Sequence, residues 1–303
     1  MWFKFVLAAI AVLGMADAAF AWGPAVHTAL GGSILGDLSL LPAGLAALLA
    51  RHGASYLYGG IAADIVFAKR WSRIKQFCHH WSTGFRLLES AQCDRDKAFA
   101  CGYLSHLAAD TVAHGKYVPR QVMVSNCTVN FGHLYWELRA EAAQSPATWK
   151  RLETLLDDDH DDHHDALECH ICDTFLPFEL NRLVFDRLNA LSVHRGFRRT
   201  VDVWSRCSRW YLAPELLRGY HAECVDRIRS VLAEGQHSAV VHDDPNGTSA
   251  LMQLRVRRRE ARRLRRNGMP VRHRVVEASR GYAPELSRAP VSDTDPTAAL
   301  AGA

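Results

Sequence analysis

Between Gly102 and His114 the chain reads as an apolar helix interrupted at every fourth position by a side chain able to bind metal: His106, Asp110 and His114. A step of four residues turns an α-helix by only about 40° from a full turn, so the three form one stripe. The rest of the segment is mostly Leu, Ala, Val, Gly and Tyr, which marks a helix buried on most sides. A buried imidazole or carboxylate without a partner is costly, and three on one stripe point to metal ions as the compensation. The two oxygens of Asp110 suit a bridge between neighbouring ions, with His106 and His114 on either side.

The same helical spacing of apolar residues recurs almost everywhere, and no alternating strand pattern bounded by hairpin turns stands out. Helices are predicted at 24–36, 42–52, 82–91, 96–117, 130–143, 146–157, 174–191, 212–234 and 248–266, giving an all-α fold. Pro42, the Gly59-Gly60 pair, Pro119 and Asn267-Gly268 read as loops or helix ends. The run from Asp157 to Asp165, six Asp and three His, reads as a solvated linker or capping turn, and the chain after Val275 as disordered tail. With 303 residues, 49% of them hydrophobic, the chain is long enough for a substantial core.

The N-terminus reads as an export signal. Lys4 is followed by an apolar stretch, Phe5 to Leu13, too short to span a bilayer, and Ala19-Phe20-Ala21 is a small-x-small cleavage site. The mature chain would begin at Trp22, in a periplasm or outside the cell. There the eight cysteines are able to pair, with no connectivity assigned; Cys169-x-x-Cys172 lacks a second C-x-x-C and reads as structural. The formal charge of +4 conceals ten Arg and one Glu between Arg255 and Arg274, a local +9. That basic stretch reads as an amphipathic helix suited to an anionic membrane or a nucleic acid, or as a solvated helix. The expected divisions are residues 1–21 as signal peptide, 22–250 as catalytic domain, and 251–303 as basic helix and tail.

Further ligand-type residues flank the stripe. His133 and Glu137 are four apart, hence on one helical face, amid Phe131, Leu134, Tyr135 and Trp136. Asp64 follows the Gly59-Gly60 pair and small residues, and His79-His80 lie fifteen residues on. Processing before Trp22 would expose a free amine five residues ahead of His27.

Taken in order, these fragments resemble the zinc-dependent phospholipase C family, which shares its helical fold with the fungal single-strand-specific zinc nucleases. The resemblance implies three zinc ions. One would be held by Asp64, His79, His106 and Asp110, with His79 chosen over His80. A second would be held by the amine and carbonyl of Trp22, by His27 and by the bridging Asp110, and the third by His114, His133 and Glu137. The stretches from His79 to His106 and from Asp110 to His114 are shorter than in well-characterised secreted members, so substrate-contacting loops there do not transfer.

The implied activity is hydrolysis of a phospholipid to diacylglycerol and a phosphorylated head group by a metal-activated water, with Asp64 orienting or deprotonating that water. Three zinc ions against three carboxylates leave a positive site suited to phosphate. The expected partner is a phospholipid or membrane surface; no protein partner is inferred. Two alternatives remain at the sequence level: a nuclease acting on single-stranded nucleic acid, and a non-catalytic, metal-stabilised module that binds membranes. Trp71, Trp81, Tyr117 and Trp136 would serve either acyl chains or stacked bases, core packing being the commoner fate of each.

Overall fold

Every regular element among the described residues, which are 22–67, 77–171, 174–270 and 272–284 of a computed structural model, is helical. The first half comprises α1 (Pro24–Gly36), α2 (Ala43–Arg51), α3 (Gly53–Ala62), α4 (Trp81–Ser90), α5 (Asp94–Val112), α6 (Val118–Ser125) and α7 (Val129–Ala142). The second comprises α8 (Pro146–Asp157), α9 (Asp161–His170), α10 (Phe178–Val193), α11 (Arg195–Arg206), α12 (Pro214–Glu234), α13 (Thr248–Arg266) and α14 (Arg272–Arg280). The all-α expectation holds. No described helix is long and apolar enough to cross a membrane.

The metal-ligand stripe lies on α5, and this helix is the axis of the molecule. Every residue from Ala98 to Val112 is buried, with α3, α4 and α12 packed around it. The α3–α5 contact explains a misread signal. Gly59 and Gly60 do not break the chain but lie inside α3, because the two backbones touch there. A Cβ on Gly59 would collide with the carbonyl of Phe99, and one on Gly102 with that of Tyr56.

Three more elements differ from expectation. Pro119 does not end the stripe helix: α5 passes through a π-turn, Ala113–Tyr117, into α6, where Pro119 is the second residue, a place that tolerates a missing N–H. The acidic run from Asp157 is not a linker throughout. Asp161 and Asp162 occupy the first turn of α9, where carboxylates complement the helix dipole, while His163 and His164 are buried. His163 stacks on Phe99 with 4.4 Å between centroids, His160 stacks on Tyr58 at 3.5 Å, and Tyr58 Oη lies 2.5 Å from His164 Nε2. The chain past Val275, expected as disordered tail, continues in α14 to Arg280, and Tyr220 then donates to the carbonyl of Tyr282 at 2.7 Å.

The basic helix α13 is docked rather than detached. Leu254 is fully buried and Arg258 Nη2 donates to the carbonyl of Asn126 at 3.1 Å. Among the described residues no disulfide forms; Cys101 and Cys224 are packed as core, whereas Cys93, Cys169 and Cys207 are exposed. The signal segment 1–21, Trp71, and Cys172 of the C-x-x-C pair lie outside the described residues.

Candidate metal centre

Five separate pieces of chain deliver side chains to one buried region along α5. The stripe supplies His106 and Asp110, with His114 just beyond in the π-turn. That π-turn lies at the ligand stripe, and π-bulges recur at functional sites. His27 comes from the first turn of α1, Asp64 from the turn after α3, and His79 from a 3₁₀ turn, Phe77–His79, ahead of α4. His133 and Glu137 project from α7.

Asp110 lies at the centre with no exposed surface. Its Oδ2 is 3.2 Å from His106 Nε2, 3.4 Å from His79 Nε2 and 3.6 Å from His114 Nε2, and its Oδ1 is 3.5 Å from His27 Nε2. Asp64 adds Oδ1 at 3.2 Å from His79 Nε2 and Oδ2 at 3.9 Å from His106 Nε2. Among the described residues, two sets of ligand atoms converge within 4.8 Å: His27, His106 and Asp110, and Asp64, His79 and His106. The remaining residues adjoin these more loosely, with His114 and His133 ring centroids 4.9 Å apart and His133 Nε2 3.0 Å from Glu137 Oε1. His79 is buried, whereas the adjacent His80 is exposed at the N-cap of α4. Trp22 is fully buried at the head of α1, its ring 4.5 Å from that of Tyr117.

The donor set calls for cations. A carbonyl oxygen only accepts, so His106 Nδ1, 2.9 Å from the carbonyl of Gly60, carries the proton. In the neutral imidazole Nε2 is then a lone pair, aimed at the oxygens of Asp110 and at His79 Nε2, 3.1 Å away. Neither Asp110 oxygen, neither His114 nitrogen and not His27 Nε2 makes a hydrogen bond, although all are buried. Buried polar atoms left without hydrogen bonds are costly, and a positive ion among them would supply the missing partner. Holding the outer nitrogen of a ligand imidazole on a backbone carbonyl, as at His106, is also how metal-binding histidines are oriented.

Electrostatics agree with that reading. Burial lowers the His27 and His114 imidazoles, His114 to about 3, so both present neutral, metal-competent nitrogens. Burial would raise Asp110, and positive charge beside it, from the surrounding imidazoles when protonated, His106 foremost, or from a cation in the proton's place, outweighs burial and holds the carboxyl well below its usual range. Burial pushes Glu137 up to about 7 against the pull of His133. A carboxylate this reluctant to ionise alone gains from a cation beside it.

Two contributions were invisible in the sequence. Glu141, one turn beyond Glu137, is buried and accepts from the backbone N–H groups of Ala25 at 3.2 Å and Val26 at 2.8 Å, which fixes the start of α1 and hence His27. Asn246, far along the chain, donates to the carbonyl of His79 at 3.2 Å. A carboxylate four residues from Glu137 was the one available hint for the first; nothing marked the second.

The helical fold and buried His–carboxylate cluster define a metallohydrolase of the zinc type. The family model for zinc-dependent phospholipase C matches residues 26–180, just over half of the chain, and the chain belongs to that family. It is accordingly a zinc-dependent, phospholipase C-like phosphodiesterase. Eight of the nine expected ligands fall inside the match and Trp22 lies just ahead of it. Comparison with curated proteins and with solved structures finds no match.

Proposed function

We propose that the chain is exported, loses residues 1–21, and works from Trp22 as a three-zinc phospholipase C that releases diacylglycerol and a phosphorylated head group. Residues 22–250 form its catalytic domain and 251–303 a basic helix and tail. The ligands are those the resemblance implies: Asp64, His79, His106 and Asp110 for one ion; Trp22, His27 and Asp110 for a second; His114, His133 and Glu137 for the third. The observation that carries the reading is that both Asp110 oxygens, both His114 nitrogens and His27 Nε2 are buried without a hydrogen bond, beside a largely apolar cavity lined by His27, Asp64 and Glu137.

Bound zinc supplies an activated water and positive charge for the phosphoryl oxygens. The chain's own part is to orient and exclude. Gly60 holds the His106 ring, and Asn246 holds the backbone of His79. Asp64 lines the cavity at its boundary with the buried cluster, a position from which a carboxylate can take a proton from a water attacking phosphorus. Of the aromatic residues considered for acyl chains or stacked bases, Tyr117 and Trp136 are buried in the core, and neither they nor Trp81 line the cavity, so these three favour neither substrate.

The test offers zinc-loaded protein beginning at Trp22 both phosphatidylcholine vesicles and single-stranded DNA, with Asp64→Asn as control. Diacylglycerol release that disappears in the variant is the expected result. Release of nucleotides alone would transfer the protein to the nuclease reading, and no product from either would leave a metal-stabilised binding module.

A further inference from the structure

The cavity that opens at the metal cluster encloses about 520 Å³, within the range of specific small-molecule sites. Its far wall is built from Leu138 of α7, Phe185 and Leu188 of α10, and Phe197 and Val201 of α11. Phe197 and Val201 form a small cluster of their own with Leu138, Ala142 and Leu191, separate from the main core. Thus α11 roofs an apolar space instead of filling it, unlike a close-packed interior. Both α11 and nearly all of α10 lie beyond residue 180, where the family match ends.

The roof is also strongly basic. Helix α11 carries four Arg and one Asp, and Arg195, Arg198 and Arg199 line the cavity. Asp202 does not neutralise them, because it pairs with Arg206 at 2.9 Å. The Arg198 guanidinium lies over the Trp149 ring at 4.5 Å, while Arg195 and Arg199 are exposed. An apolar chamber between a phosphate-binding floor and a positive rim matches a molecule with three parts: a phosphodiester, a hydrocarbon chain and a second negative charge.

We propose that the α10–α11 cavity takes an acyl chain of an anionic phospholipid, with Arg195 and Arg199 meeting the acidic head group; this rests on the phospholipase reading above. The chamber makes the enzyme selective for lipids with chains, and the rim makes it selective among head groups.

The test titrates zinc-loaded protein, beginning at Trp22, with hydrolysis-resistant phosphonate analogues of dihexanoylphosphatidylserine, whose head group carries a carboxylate, of dihexanoylphosphatidylcholine and of the deacylated glycerophosphoserine. Leu188→Arg is expected to weaken the diacyl analogues about tenfold or more, as loss of a buried apolar contact implies, and to leave the deacylated analogue unchanged. Val201→Trp fills the same space and replaces Leu188→Arg should that variant lose its zinc or its helical signal. The double variant Arg195→Ala/Arg199→Ala is expected to remove the preference for phosphatidylserine over phosphatidylcholine. Wild-type affinity for the diacyl analogues in both cavity variants, or an intact head-group preference in the double arginine variant, overturns the proposal. Diacylglycerol release from vesicles of each lipid by the wild-type enzyme is measured in parallel. If it occurs while the variants bind normally, the phospholipase reading stands and the cavity assignment alone fails; if only nucleotides are released from single-stranded DNA, both fall.

Discussion

Asp110 faces four imidazole nitrogens at 3.2 to 3.6 Å with no exposed surface, so its charge is shared among several partners. Asp110→Asn keeps the shape but removes the charge, leaves one neutral acceptor oxygen and puts an amide N–H beside the imidazole nitrogens. Loss of more than one zinc per chain is expected by metal analysis after gel filtration; loss of one or none would contradict a bridging role. Trp22 makes a complementary prediction. An extra residue ahead of it displaces the amine, so zinc content and activity should both drop, and full activity would remove Trp22 from the site. At this scale much of the site was legible, because His106, Asp110 and His114, like His133 and Glu137, repeat at helical spacing within apolar surroundings. Glu141 and Asn246 were not. Each acts on a backbone group more than a hundred residues away in sequence, Glu141 on Ala25 and Asn246 on His79, and no local pattern encodes such a contact.

At the scale of elements, α3 against α5 is where a methyl group would do most damage. Gly59→Ala and Gly102→Ala each direct a Cβ into a backbone carbonyl that has no rotamer to retreat to. Destabilisation of about 3 kcal/mol or more is expected in urea unfolding, at the upper end of overpacking. Zinc loss should accompany it, since a displaced α3 carries away the Gly60 carbonyl that orients His106. The glycine pair was legible as a special position but not as a contact, because turn glycines and close-approach glycines look alike in one sequence. Helix α9 was hidden for a related reason: an Asp-rich stretch signals solvent, and only the neighbouring Tyr58 and Phe99 turn its histidines inward. Burial lowers His163 and His164 to about 4. Their neutral forms therefore belong to the folded state, and the stability they contribute is fully present above the unfolded value of about 6.5 and lost as pH falls from there to about 4. Partial solvent screening holds the effect to roughly 1–2 kcal/mol for each. His163→Phe preserves the stacking on Phe99 and should flatten the fall of the melting temperature between pH 6.5 and 4.5; an unchanged slope would show that α9 does not contribute.

At the scale of the whole molecule, the question is what the chain after residue 180 does for a site whose ligands all precede it. One answer from the sequence, a basic surface helix acting as a tether, accounts for the arginines of α13 but not for its packing. The segment that leads into α13 touches the metal centre twice: Asn246 holds the carbonyl of His79, and Gly247, at φ 57°, fits so close to the backbone of His114 that a Cβ would overlap its carbonyl. Trp81, two residues beyond His79, donates to the carbonyl of Asp243 at 2.9 Å, and Cys224 of α12 packs against the carbonyl of Ala109, one residue from Asp110. The C-terminal part thus braces two ligands that sit on short, irregular turns, where local structure alone holds them poorly. Bracing and tethering separate experimentally. Removal of the chain from Asp243 onward should accelerate zinc release to a chelator, whereas Asn246→Ala should do so to a smaller degree without altering vesicle binding. If α13 is a tether alone, the truncated protein loses its attachment to anionic vesicles and keeps its zinc as well as the full-length protein does.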